Sequence, residues 1–135
     1  MIRLAVAVIL AAAPLSPIQP SLLVDARLDP IARFAISQPV QLDVAREIVA
    51  ASFAAGIPPD IALETGWRES RFFPDYVSRT RDYGPLQVNA RWTPEIVRQT
   101  TAQRIATGVR ILAEAFRKCG SWAGADHRYR TGRCR

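Results

Sequence analysis

The sequence predicts a single small domain, α-dominated in an α+β sense, with one irregular or short β insert after its second helix. Three observations predict it. At 135 residues the chain can build one modest core and no second domain. Apolar residues recur at helical spacing over 41–55, 59–70 and 102–118, with Pro or Gly marking the ends of these stretches. Between 74 and 92 that periodicity stops, and Gly84-Pro85 leads into a Leu86-Gln87-Val88 run that reads as extended.

Taken in order, residues 1–26 read as an export signal. Arg3 supplies the positive end, and Leu4 to Ala13 form an apolar run shorter than the ~20 residues a bilayer span needs. Pro14, Pro17 and Pro20 argue against a buried helix, and Val24-Asp25-Ala26 offers small residues for cleavage after Ala26. The expected product is a periplasmic domain, 27–135, monomeric and without a stable membrane span. Residues 27–40 are a Pro-containing lead-in. In the first helix Val44, Ile48, Val49 and Phe53 share one face, and Gly56 stops it. Pro58-Pro59-Asp60 starts a second helix, about Pro59 to Ser70, carrying Ile61, Leu63, Trp67 and, near its end, Glu69; Phe73-Pro74 terminates it. Thr93-Pro94-Glu95 is a helix start with Thr as cap. A long helix from about Ala102 to Lys118 presents Ile105, Val109, Leu112, Ala113 and Phe116, Gly120 closes it, and a last short helix runs from Trp122 to Tyr129.

Cysteine use agrees with export. Cys119 and Cys134 are the only two, and in an oxidising compartment they read as one disulfide. Half a metal site lacks partners, because His127 is the only histidine. The net charge of +6 survives removal of 1–26, where Arg3 and Asp25 cancel. An exported basic protein meets anionic wall polymers and lipid headgroups rather than nucleic acid, although a generally solvated basic surface fits the charge equally. There is no Gly-rich phosphate loop, metal constellation or Ser/His/Asp set, so no cofactor and no metal are expected.

The stretch from Trp67 to Trp92 holds three carboxylates, Glu69, Asp75 and Asp82. Cleaving a glycosidic bond requires protonating its leaving oxygen, and an apolar wall can keep a carboxylic acid neutral for that task. Trp67, Phe72 and Phe73 are near Glu69 in sequence, and the negative end of a helix acts the same way. Local composition alone leaves Glu69 equally readable as a surface charge paired with Arg68 or Arg71. Asp75 reads as a solvated loop charge. Glu64 points away from Glu69 on the same helix, and His127 reads as an ordinary polar residue near the disulfide. Tyr76, Tyr83, Trp92 and Trp122 read as core or as sugar-stacking residues.

The segment "ESRFFPDYVSRTRDYGPLQVN" resembles the soluble lytic transglycosylase and lysozyme-like superfamily, whose signature runs E-S-x-F-x-P, then V-S, then G-L-M-Q. Glu69, Ser70, Phe72, Pro74, Val77, Ser78, Gly84, Leu86 and Gln87 fall at its intervals. Upstream "AGIPPDIALETGWRESRF" is similar to the helix that delivers the catalytic acid in that family. Downstream "ATGVRILAEAFRKCGSW" is similar to its long core helix, and "HRYRTG" to its Y-N-x-G element. The resemblance covers roughly residues 41–133. It implies a lysozyme-like fold and cleavage of the bond between N-acetylmuramic acid and N-acetylglucosamine in peptidoglycan glycan strands. Glu69 would be acid and then base, and Ser70, Asp82, Gln87, Asn89 and Tyr129 would border the substrate. The small size resembles the secretion- or pilus-associated members, which implies such an apparatus as a partner.

Three departures matter. Pro85 and Leu86 stand where Leu and Met are usual, and Arg130 stands where the family has Asn. Asp82 is the third: "DYGPLQVNARW" resembles the D-Y-G-x-L-Q-x-N-x-R-W segment of c-type lysozymes, in which that Asp is a second catalytic carboxylate. Two alternatives therefore stand beside the transglycosylase: a muramidase using Glu69 and Asp82, and a wall-binding component without catalysis.

Overall fold

A computed structural model of the chain describes residues 29–135, and the signal-peptide assignment over 1–26 lies outside the described residues. Helix α1 spans Pro39–Ala55, opening with Pro in its first turn and ending on Gly56 in the left-handed conformation, φ 69°. Its buried line is Val44, Ile48 and Ser52, the Ser52 hydroxyl donating to the Ile48 carbonyl at 2.7 Å. Phe53, expected on the core face, is 72% exposed. It lies one position past that line, so a helical step of about 100° turns it outward. Gln41, also buried, accepts from the Gln38 amide at 3.0 Å and donates to the Arg71 carbonyl at 2.8 Å. One side chain thus caps α1 and ties down the end of the next helix.

Helix α2, Pro59–Ser70, matches the expected span. It ends earlier than Phe73-Pro74, because Arg71 and Phe72 both adopt positive φ, 55° and 62°. That reversal turns the Phe72 ring inward, against Phe34 and Trp67 at centroid distances of 5.1 and 5.3 Å. The insert then forms a two-stranded antiparallel sheet: β1, Asp82–Tyr83, pairs with β2, Val88–Asn89, Asp82 opposite Asn89 and Tyr83 opposite Val88. Leu86 and Gln87, expected to be extended, lie instead in the connecting turn, where the Gln87 amide donates to the Gly84 carbonyl at 3.0 Å. Burial explains the difference, since Leu86 is driven into the core as the tip of the turn.

Thr93 does not cap an α-helix. Pro94–Arg98 is a short 3-10 helix held by buried Ile96, and the chain straightens again at Gln99, whose side chain accepts from the Thr107 hydroxyl at 2.9 Å. Helix α3, Thr101–Cys119, starts with a Thr100/Gln103 capping box and ends on left-handed Gly120. It packs against α1 and against α4, Trp122–Thr131, which runs past the expected Tyr129. Phe116 stacks on Trp122 at 4.0 Å. The Cys119–Cys134 disulfide is formed, and closing its 15-residue loop contributes about 3 kcal/mol in the chain-entropy account. The result is a helix-dominated α+β domain, and among the described residues no helix is long and apolar enough to cross a membrane.

Gly108 lets the insert approach α3. A Cβ there would meet Leu86 Cβ at 2.6 Å and Leu86 Cδ1 at 2.7 Å. Gly108→Ala is expected to cost about 1–3 kcal/mol as an overpacking change, despite the better helix propensity of Ala. Denaturant unfolding checks this; an unchanged midpoint would mean that the turn shifts freely and is not held by α3.

Candidate active site

Four parts of the chain meet around one cleft of about 490 Å³: the end of α2, the loop before β1, the β1–β2 hairpin and α4. Glu69 comes from α2, Tyr76 and Ser78 from the loop, Asp82 and Gln87 from the hairpin, and Tyr129 and Arg130 from α4. The reversal at Arg71-Phe72 makes this possible, because it sends the chain back across the end of α2 rather than away from it.

The Glu69 side chain is one-quarter exposed. Arg68 donates to its Oε1 from Nε and Nη2, both at 3.2 Å. The same guanidinium reaches Asp126 Oδ1 on α4 at 2.8 Å, and Arg130 holds Asp126 Oδ2 at 2.8 Å. A chain of alternating charge therefore runs from Glu69 to Arg130 and links the two helices that border the cleft. Sequence reasoning had Arg68 as one of two alternatives for a Glu69 partner but missed Asp126, which is distant along the chain. The expected apolar wall is absent from this cleft. Trp67 and Phe72 point to the core side of α2, and the groups beside Glu69 are mainly polar.

Asp82 is held as an anion. Its Oδ2 accepts from the Ser78 hydroxyl at 2.5 Å and from the Thr80 hydroxyl, and its Oδ1 accepts from Asn89 Nδ2 at 2.7 Å. Burial works against the charge, but these three donors outweigh it and hold the carboxyl below its ordinary range. The sign follows: a depressed folded value contributes stability above the unfolded value of about 3.9, and that stability is lost as pH falls through the folded value. Asp82→Asn should therefore melt lower than wild type at pH 7, with the gap closing toward pH 3. A constant gap in thermal melts across that range would show that the carboxylate's charge is not what the loop holds.

Tyr129 contributes a fixed donor. Its hydroxyl gives a hydrogen bond of 2.7 Å to the Leu86 carbonyl, and burial, reinforced by the Glu69 charge, pushes the phenol well above its ordinary value. It stays neutral while bracing the hairpin turn against α4. Gln87, at φ 49°, donates from Nε2 to the Tyr76 and Gly84 carbonyls at 2.9 and 2.8 Å. Those bonds fix the amide at the cleft wall.

Two expected substrate contacts have other placements. Ser70 is buried, and its hydroxyl donates to the Pro85 carbonyl at 2.8 Å, which pins the hairpin to α2 instead of lining the cleft. Asn89 lies along an adjoining stretch of the groove, and its amide is spent on Asp82 and on the Thr80 carbonyl at 3.0 Å. Asp75 does not border the cleft and is exposed, and His127 sits against the Arg133 carbonyl at 2.8 Å beside the disulfide. No family model, curated protein or solved structure matches this chain.

Proposed function

We propose that the protein is a peptidoglycan lytic transglycosylase with a lysozyme-like fold, which acts in the periplasm to open the wall locally for an envelope-spanning secretion or pilus apparatus. One observation carries the reading. Residues that share the spacing of the transglycosylase signature, Glu69, Ser78 and Gln87, border the same cleft as Tyr129 from the far end of the chain. The disulfide is consistent with an oxidising compartment.

In this reading Glu69 gives its proton to the leaving oxygen of N-acetylglucosamine as the C1–O bond of N-acetylmuramic acid breaks. The sugar's own acetamido oxygen bonds to C1, so no second carboxylate is required. Glu69, now ionised, removes the proton from the C6 hydroxyl. The C6 oxygen then displaces the acetamido oxygen from C1, closing a 1,6-anhydro ring without water. Arg68 must release Glu69 Oε1 for this cycle, and Asp126, which already holds its Nη1, keeps the side chain anchored.

A second reading has support from Asp82, which shares the cleft with Glu69 and is held ionised. A muramidase would use that charge beside the oxocarbenium-like centre and deliver water to it. Digestion of purified peptidoglycan by the domain 27–135, followed by mass spectrometry, decides between them. Products one water lighter than the hydrolytic ones support the transglycosylase, and reducing ends that disappear in Asp82→Asn support the muramidase. Strand binding without cutting would leave a wall-binding component.

A further inference from the structure

The groove does not end at Tyr129. It continues between α3 and α4 into an arm of about 630 Å³, a volume suited to a substituent rather than to solvent alone. Trp92, 77% exposed, stands where the two stretches join and lines both, with the Arg91 guanidinium 4.9 Å from its ring centre.

The arm is strongly basic. Lys118, Arg128 and Arg133 line it, and among the described residues none of the three is paired with a carboxylate. Its one acid, Glu114, is already bound to Arg110 at 2.7 Å. Lys118 and Arg133 each precede a half-cystine, and the Cys119–Cys134 bridge, with Cα atoms 5.4 Å apart, keeps both cations at the same end of the groove. Like charges gathered without counter-ions cost stability unless a ligand neutralises them.

We infer that this arm binds the carboxylates of a short acidic peptide carried by the glycan strand, so that the protein selects peptide-bearing over bare strands. The inference rests on the peptidoglycan reading of the neighbouring cleft. A strand stripped of its peptides keeps a single lactyl carboxylate on each N-acetylmuramic acid, held close to the sugar ring, whereas a peptide attached through that lactyl group brings several carboxylates that extend away from the ring. Trp92 would stack on the sugar that carries the peptide, leaving the substituent to reach Lys118 and Arg133.

The test compares strands with peptides intact and strands stripped of them by an amidase, measuring both binding and turnover at low and moderate salt. Wild type should bind and process peptide-bearing strands roughly tenfold better, as expected for a few partly screened ion pairs. Lys118→Glu/Arg133→Glu should lose that preference through KM, with turnover of stripped strands unchanged. Equal handling of both strands by wild type, or a preserved preference in the folded double variant, would overturn the inference. A wild type that cuts neither strand yet binds the peptide-bearing one through these cations would sink the enzymatic reading alone. Failure to bind either strand would sink both.

Discussion

Glu69→Gln should, under the transglycosylase reading proposed above, lower strand cleavage by about a thousandfold or more, because in that reading the same carboxyl is acid in one half of the cycle and base in the other. Gln keeps the shape and can do neither. The change should leave the fold intact, since the Arg68 pair it weakens is partly exposed and such pairs contribute about 0–1 kcal/mol. Circular dichroism and a melting curve establish that, and the yield of 1,6-anhydro products by mass spectrometry gives the rate. Residual activity above a tenth of wild type, from a folded variant, would remove Glu69 from the chemistry. Binding to strands should survive, because Gln87, Trp92 and the basic arm remain in place.

The helices were legible because their signals are local. Gly56 and Gly120 in the left-handed conformation mark the ends of α1 and α3, and Pro59 marks the first turn of α2, whereas α1 starts at Pro39 inside the stretch that reads as a lead-in. The insert was not legible, because its shape depends on partners distant in sequence. Leu86-Gln87-Val88 looks like a strand by composition, but Leu86 finds its place against Gly108 and makes a turn of the segment. The same holds for the site. The resemblance to the lytic transglycosylase signature implies Glu69, Asp82, Gln87 and Tyr129 as site residues, and the four side chains border one cleft. What surrounds them was not legible. Trp67 and Phe72 lie near Glu69 in sequence yet face the core, while the charges that do touch it are chained through Asp126 on another helix. Sequence proximity predicted an apolar wall, but helix geometry for Trp67 and the Arg71-Phe72 reversal for Phe72 put those rings in the core.

Phe72→Ala should lower stability by about 3–5 kcal/mol, the cost of emptying a fully buried aromatic site. Against a typical domain stability of about 5–15 kcal/mol, that is a large share. The effect should not stop at the core. Phe72 sits at positive φ immediately after Arg71, which does the same, and a pair of non-glycine residues in that region is held there by surrounding contacts. The contacts that hold it are the Phe34 and Trp67 rings and the Gln41 bond to the Arg71 carbonyl. With the ring gone, the reversal has less to oppose its strain, and the end of α2 that carries Glu69 is free to rewind. Activity measured at a temperature where Phe72→Ala is still fully folded should therefore fall further than the folded fraction accounts for. Phe72→Leu, which refills much of the volume, should recover part of both losses. A destabilisation below about 1 kcal/mol would mean that the core collapses readily around the site. Unchanged activity in the folded variant would mean that the Glu69 position is set by α2 itself rather than by the turn that follows it.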